Sequence, residues 1–277
     1  MRHEQPVAHT LERVAASGEL VVAFKAGCNR IERLYQEGAA KIRMPKTAGD
    51  ALEAVLINTA GGLTGGDHLH WAVAVGEGAA AMVTTQACEK VYRASFGVAE
   101  VSCRLSVAAG GRLAWLPQET IVFDNSCFRR RLDIDLAPDA EAVVLEAAIF
   151  GRRAMGERVR LARYADRWRV RRGDRLIHVE DLAIGPDAAG QLASSASCAG
   201  ATAVASLALF SDDAEARLDA VRAVIGEAGG ASAWRVGGSG KLLARILADD
   251  GYALRRRLIP LIELLNGQAG LPKVWTI

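Results

Sequence analysis

The sequence predicts a mainly β protein of many short strands, with a few helices mostly in the C-terminal quarter. Short apolar or alternating runs, each bounded by glycine or small polar residues, recur through residues 1–200 at about the 8–12-residue spacing of an all-β fold. Glycine is abundant (28 of 277 residues) and proline scarce (7), which suits strands joined by tight turns where positive φ costs little.

The strands of the first half are Leu20–Phe24, Val55–Asn58, Leu69–Val75, Ala81–Thr85, Val98–Val107 and Arg112–Trp115. Arg158–Leu161 and Arg167–Arg171 alternate with period two on either side of Ala165-Asp166, which reads as a turn. Alternation puts the arginines of each strand on one face, so this segment predicts a hairpin with an apolar inner side. Gly173-Asp174 then returns the chain into Arg175–Glu180. Ser211 predicts a helix cap, followed by Ala214, Leu218, Val221 and Ile225 at helical spacing. Lys241–Leu247 predicts a strand, and Tyr252–Asn266 a helix with Leu254, Leu258, Leu261 and Leu265 on one face. Pro260 inside that helix predicts a kink or a fresh turn. No repeat, low-complexity tract or linker divides the chain, so residues 1–277 are expected to form one domain, its first ten or so residues disordered.

Composition excludes several classes. A chain 51% hydrophobic and 24% charged is not a disordered one. With 34 basic and 32 acidic residues, the net charge of +2 gives no overall field for nucleic acid or an anionic membrane. No stretch reaches the ~18 apolar residues of a membrane span, and Met1–Thr10 lacks the apolar run of a secretion signal. A cytoplasmic protein is expected. The five cysteines are scattered, which argues against a disulfide framework and against a closed zinc site. Residues 151–175 hold ten arginines against three acids. Only Tyr164 and Trp168 offer stacking surfaces there, so a solvated face or a protein contact is favoured over nucleic acid.

Motifs for catalysis are sparse. Val236–Leu242 imitates a phosphate loop, but Arg235 stands where its first glycine belongs and Leu242 where its Ser/Thr belongs. It reads as a hairpin turn. No G-x-S-x-G elbow occurs. His68 and His70, spaced i, i+2, place both imidazoles on one strand face as a metal pair requires, without an identifiable third ligand. The segment Asn58–Asp67 carries glycine at four of the six positions 61–66 and lies between two strands. It reads either as close backbone packing or as the Gly61–Asp67 loop of a small-molecule enzyme that uses nearby carboxylates.

This glycine loop, with Thr84-Thr85-Gln86 and Glu89–Ser95, resembles the urease accessory protein UreD family, called UreH in some lineages. Trp115–Asp124 (WLPQETIVFD), Phe150-Gly151-Arg152, Met155-Gly156-Glu157 and the closing Leu271–Trp275 fit the same family in order. Thr59-Ala60 replaces the prolines that usually precede the glycines, and the His68/His70 pair is outside the family pattern.

The resemblance implies a helix-like winding of strands and a maturation scaffold that is not an enzyme. Such a protein binds apo-urease, UreF and UreG, and helps deliver nickel through a polar internal passage. It implies no tightly bound cofactor, only transient nickel. By position in the motifs, the passage acids are Asp67, Glu146 and Glu180, with Glu89 as a weaker fourth, and they are expected to line one connected channel. Tyr252–Asn266 and Leu271–Ile277 are candidates for the UreF contact, with a core role as the alternative.

Overall fold

Alternation of buried and exposed side chains arranges the chain into two facing sheets. The computed structural model describes residues 13–46 and 49–276, so the expected N-terminal disorder lies outside the described residues. In chain order the first strands are β1 (Ala15–Lys25), β2 (Cys28–Glu37), β3 (Ala40–Arg43), β4 (Leu52–Asn58), β5 (His68–Val75), β6 (Ala80–Thr85), β7 (Glu89–Val91), β8 (Ala99–Val107) and β9 (Arg112–Trp115). They are followed by β10 (Thr120–Val122), β11 (Ser126–Leu136), β12 (Glu141–Phe150), β13 (Ala162–Arg172), β14 (Arg175–Ile184), β15 (Ala203–Phe210), β16 (Gly229–Val236) and β17 (Ser239–Ala248). One sheet runs β14-β13-β11-β8-β5-β1-β2, and the other β16-β17-β15-β12-β9-β6-β4-β3 with β10 and β7 attached beside β12.

From β4 to β13 the chain passes back and forth between the sheets, and neighbours within each sheet pair parallel, as in β5–β8–β11–β13 and β4–β6–β9–β12. Parallel strands need a long crossover, usually a helix. Here the crossover is a strand of the facing sheet. That is the helix-like β winding expected from the resemblance. Antiparallel β2 and β14 close the edges of the first sheet.

Leu20, Leu69, Leu105, Leu132 and Trp168 meet Leu56, Val83, Trp115, Val144 and Phe150 in the core between the sheets. On the outer side of the second sheet lie α2 (Leu218–Ile225) and α3 (Gly251–Asn266), the latter burying Leu254, Leu258, Leu261, Ile262 and Leu265. A short α1 (Ala188–Ala193) is capped by the Asp187 carboxylate, which accepts from Gly190 N. The turn predicted within Val236–Leu242 is present: β16 and β17 pair up to Val236–Ser239, and Gly237 and Gly238 take φ of +59° and +85°.

Three expectations need correction. Ala165-Asp166 is no turn, because β13 runs straight through it; Arg158–Leu161 is not a strand, and the real hairpin joins β13 to β14. Asp166 tolerates a mid-strand position because it is buried against an arginine. The Ser211 hydroxyl does not cap a helix; it donates to the carboxylates of Glu141 and Asp213. Of the two outcomes expected at Pro260, the fresh turn does not occur, since α3 is continuous across it.

The C-terminal segment docks into the core through Trp275. Trp275 is 2% exposed, its Nε1 donates to Thr84 Oγ1 and Leu116 O, and Arg255 lies over its ring. Trp275 and the buried leucines of α3 are therefore withdrawn from any partner surface, whereas Tyr252 stays exposed. Trp275→Ala is expected to cost about 3–5 kcal/mol, the scale of deleting a large buried aromatic. Urea denaturation checks this, and a loss below about 1 kcal/mol would mean the segment is peripheral.

Candidate functional site

Three strands direct charged side chains into the space between the sheets. On β12 the side chains of Val144, Glu146 and Ala148 face the inter-sheet core. Arg130 arrives from β11 and Asp166 from β13, and all three charged residues are at most 5% exposed. Arg130 forks onto Asp166 through Nε (3.0 Å) and Nη2 (2.7 Å). Its Nη1 lies 2.5 Å from Glu146 Oε2 as an ion pair without a well-directed hydrogen bond. Tyr164 Oη and Thr120 Oγ1 accept its remaining N–H groups. Trp115 Nε1 donates to Glu146 Oε1 (2.9 Å), and Trp168 Nε1 to Asp166 Oδ1 (3.1 Å).

One guanidinium thus serves two buried carboxylates. Burial, with the negative charge of Asp166 adding to it, pushes Glu146 up to about 7 against the opposing pull of Arg130.

A polar row continues from this cluster toward the sheet edge. Glu146 lies opposite Ser206 on β15, and Ser206 opposite Arg245 on β17. Arg245 Nη2 reaches across to Glu180 Oε2 on β14 (2.8 Å). There an open cavity of about 350 Å³ is lined by Trp168, His178, Glu180, Ser206, Trp234 and Arg245. His178 is buried, its Nε2 finds no partner among the described residues, and burial beside Lys241, Arg169 and Arg245 pushes it down to about 4. It is a neutral imidazole at the cavity wall.

Glu89 sits on β7 opposite Thr120, and Asn58 Nδ2 donates to both its oxygens at 3.2 Å. Burial pushes it up to about 7. Asp67 is different: its Oδ1 accepts from Val14 N and its Oδ2 from Thr64 N. It fastens its own loop. The glycines beside it allow that loop to press on residues 90–97, since a Cβ at Gly65 would lie 1.9 Å from Phe96 O and one at Gly62 2.3 Å from the Tyr92 ring. Glu146 meets Arg130 and Glu180 meets Arg245 across the inter-sheet space, whereas both oxygens of the buried Asp67 are taken by backbone N–H groups. The cavity at Glu180 is lined by none of the other three acids.

The residues that hold this site together, Arg130 and Asp166, are absent from the sequence-based set. Their signal is the alternation of β11 and β13, in which both occupy inward positions. A second missed cluster ties α3 to the Trp115–Asp124 segment: Arg255 bonds Glu119 through Nε (2.8 Å) and Nη2 (2.7 Å), and Gln118 Oε1 through Nη2. Cys88 donates to Glu119 Oε2, and burial pushes this thiol up to about 12.

The family model described as UreD urease accessory protein matches residues 15–276. The chain belongs to that family. It is 58% identical over 268 residues to "Urease accessory protein UreD 1" of Brucella melitensis biotype 1, covering 97% of this chain and 96% of that protein. It is 59% identical over 266 residues to "Urease accessory protein UreD" of Mesorhizobium japonicum, covering 96% and 95%. Membership of the UreD family gives the chain an accessory role in urease maturation. No described helix is long and apolar enough to cross a membrane.

The raised Glu146 has a measurable consequence. An acid whose folded-state value lies above its ordinary one contributes stability below the ordinary value, and that contribution is lost as pH rises through the folded-state value. For Glu146 the window runs from 4.5 to about 7. Wild type is expected to lose stability relative to Glu146→Gln as pH rises from about 4.5 to about 7 in denaturant titrations. Parallel pH profiles of the two proteins would contradict a raised Glu146.

Proposed function

We propose that the protein is a cytoplasmic, non-enzymatic scaffold that binds apo-urease with UreF and UreG as a single-domain unit. In this reading it lets nickel pass along the polar row between its sheets. The observation that carries the proposal is the line from Glu146, through Ser206 and Arg245, to Glu180 at an open cavity.

The chemistry of that line suits a cargo in transit. Carboxylates are hard oxygen donors, and spaced singly they hold a divalent ion less firmly than a cluster of thiolates or imidazoles. Passage requires contacts strong enough for entry and weak enough for exit. Each carboxylate on the row is already engaged by an arginine, Glu146 by Arg130 and Glu180 by Arg245. An arriving cation must displace a guanidinium, and the returning guanidinium then helps expel it. Glu89 lies beside this path, next to the Thr120 hydroxyl that accepts from Arg130. Asp67 acts through folding, as the clasp of the glycine loop.

The test is urease matured in cells with Glu146→Gln and Glu180→Gln together. Co-purification with UreF, UreG and urease is expected to persist while urease nickel content falls severalfold. Full nickel content with this pair would overturn the passage reading, and loss of co-purification would reassign both residues to the scaffold.

A further inference from the structure

Strand β5 carries an imidazole pair that the inter-sheet row does not use. His68 and His70 alternate with the inward Leu69 and Trp71, so both face outward, and the His68 side chain is 63% exposed. Each ring is anchored at Nδ1 by the neighbouring strand β8. His70 Nδ1 lies 2.8 Å from Ser102 Oγ, and His68 Nδ1 lies 3.5 Å from Glu100 Oε2. Neither Nε2 makes a hydrogen bond among the described residues. Both rings line one open depression of about 590 Å³, together with Ser17 and Glu37.

We propose that His68 and His70 form a two-imidazole site for a divalent transition cation of the nickel, copper and zinc class. Alternate residues on a strand stand about 6.6 Å apart on one face, a span that two imidazoles converge across to ligate one ion at about 2.0–2.1 Å. Imidazole nitrogen suits this class of metal rather than calcium or magnesium. Ligating histidines use a hydroxyl or carboxylate on the second ring nitrogen to fix tautomer and orientation, and Ser102 and Glu100 stand in those places.

The surrounding arginines are engaged: Arg129 by Glu100 (2.9 Å), Arg131 by Asp133 (2.6 Å) and Arg167 by Asp181 (3.2 Å). They temper the site without occupying it. No three His, Cys, Asp or Glu side chains gather into a metal-holding group among the described residues, so water completes the shell and the ion exchanges readily. The site is built from β5 and β8 on the outward face of the first sheet and stands whether or not nickel passes between the sheets.

The test uses the full ¹⁵N-labelled chain with His3→Ala and His9→Ala, which leaves His68, His70 and His178 as the imidazoles. Nickel(II) alone is titrated while the ring nitrogens are followed by NMR. The His68 and His70 resonances are expected to broaden together and at lower nickel(II) than His178, whose ring borders the Glu180 cavity. His68→Ala or His70→Ala is expected to loosen nickel(II) at least about tenfold, since loss of even an outer-shell partner costs 10–100-fold. Ser102→Ala is expected to have a smaller effect in the same direction. Broadening of one ring only, or unchanged nickel affinity in both histidine variants, would overturn the site.

Discussion

Between the two sheets a single guanidinium must satisfy two carboxylates, and much of the molecule is arranged around that constraint. Removing three charges from water is costly, and the attraction among them offsets the cost only with good geometry and with the remaining polar atoms satisfied. Arg130 meets those conditions through a fork onto Asp166, a short contact to Glu146 and bonds to Tyr164 and Thr120. These residues come from β10, β11, β12 and β13, so the cluster fixes how one sheet sits over the other. A register slip in any of these strands would turn its polar residue to the wrong face. The charged cluster is therefore tied to one strand register, although apolar residues of similar volume can pack there as stably.

The winding in turn explains where function is available. Inward positions between two packed sheets are mostly filled by apolar side chains, as Leu105, Leu132 and Val144 are here. A polar row through such an interior is an exception. Its outer end, at Glu180 and Arg245, lies where β14 and β17 approach each other beside an open cavity. α3 covers the far side of the second sheet, and its link to Glu119 holds the Trp115–Asp124 segment from behind. The outward face of the first sheet remains polar, with His68 and His70 among its paired arginines and acids.

Much of this was legible from local pattern. The strands around Leu69–Val75 and Val98–Val107 alternate cleanly, and the leucines of α3 mark its buried face. The glycine loop was also legible as a place of close backbone approach. What escaped was long-range pairing. Asp166 looks like a turn residue until Arg130, 36 positions away, is brought beside it. Ser211 looks like a helix cap until Glu141, 70 positions away, accepts a hydrogen bond from its hydroxyl. Asp67 was readable as a functional carboxylate because nothing local shows that Val14 N and Thr64 N will claim both its oxygens. Glu146 and Glu180 were reached only through the family motifs, since neither stands in a local pattern that marks it as inward and charged.

If nickel passes between the sheets as proposed, the Arg130–Glu146–Asp166 cluster serves that passage rather than stability. Replacing all three with apolar residues of similar size, Arg130→Met, Glu146→Leu and Asp166→Leu, separates the two roles, because such replacements of buried ion networks are often neutral or stabilising. The decisive measurement is the nickel content of urease matured with this triple variant, alongside the variant's own denaturation midpoint. The account predicts a midpoint at or above that of wild type and urease with severalfold less nickel. Full nickel loading by a stably folded triple variant would contradict it.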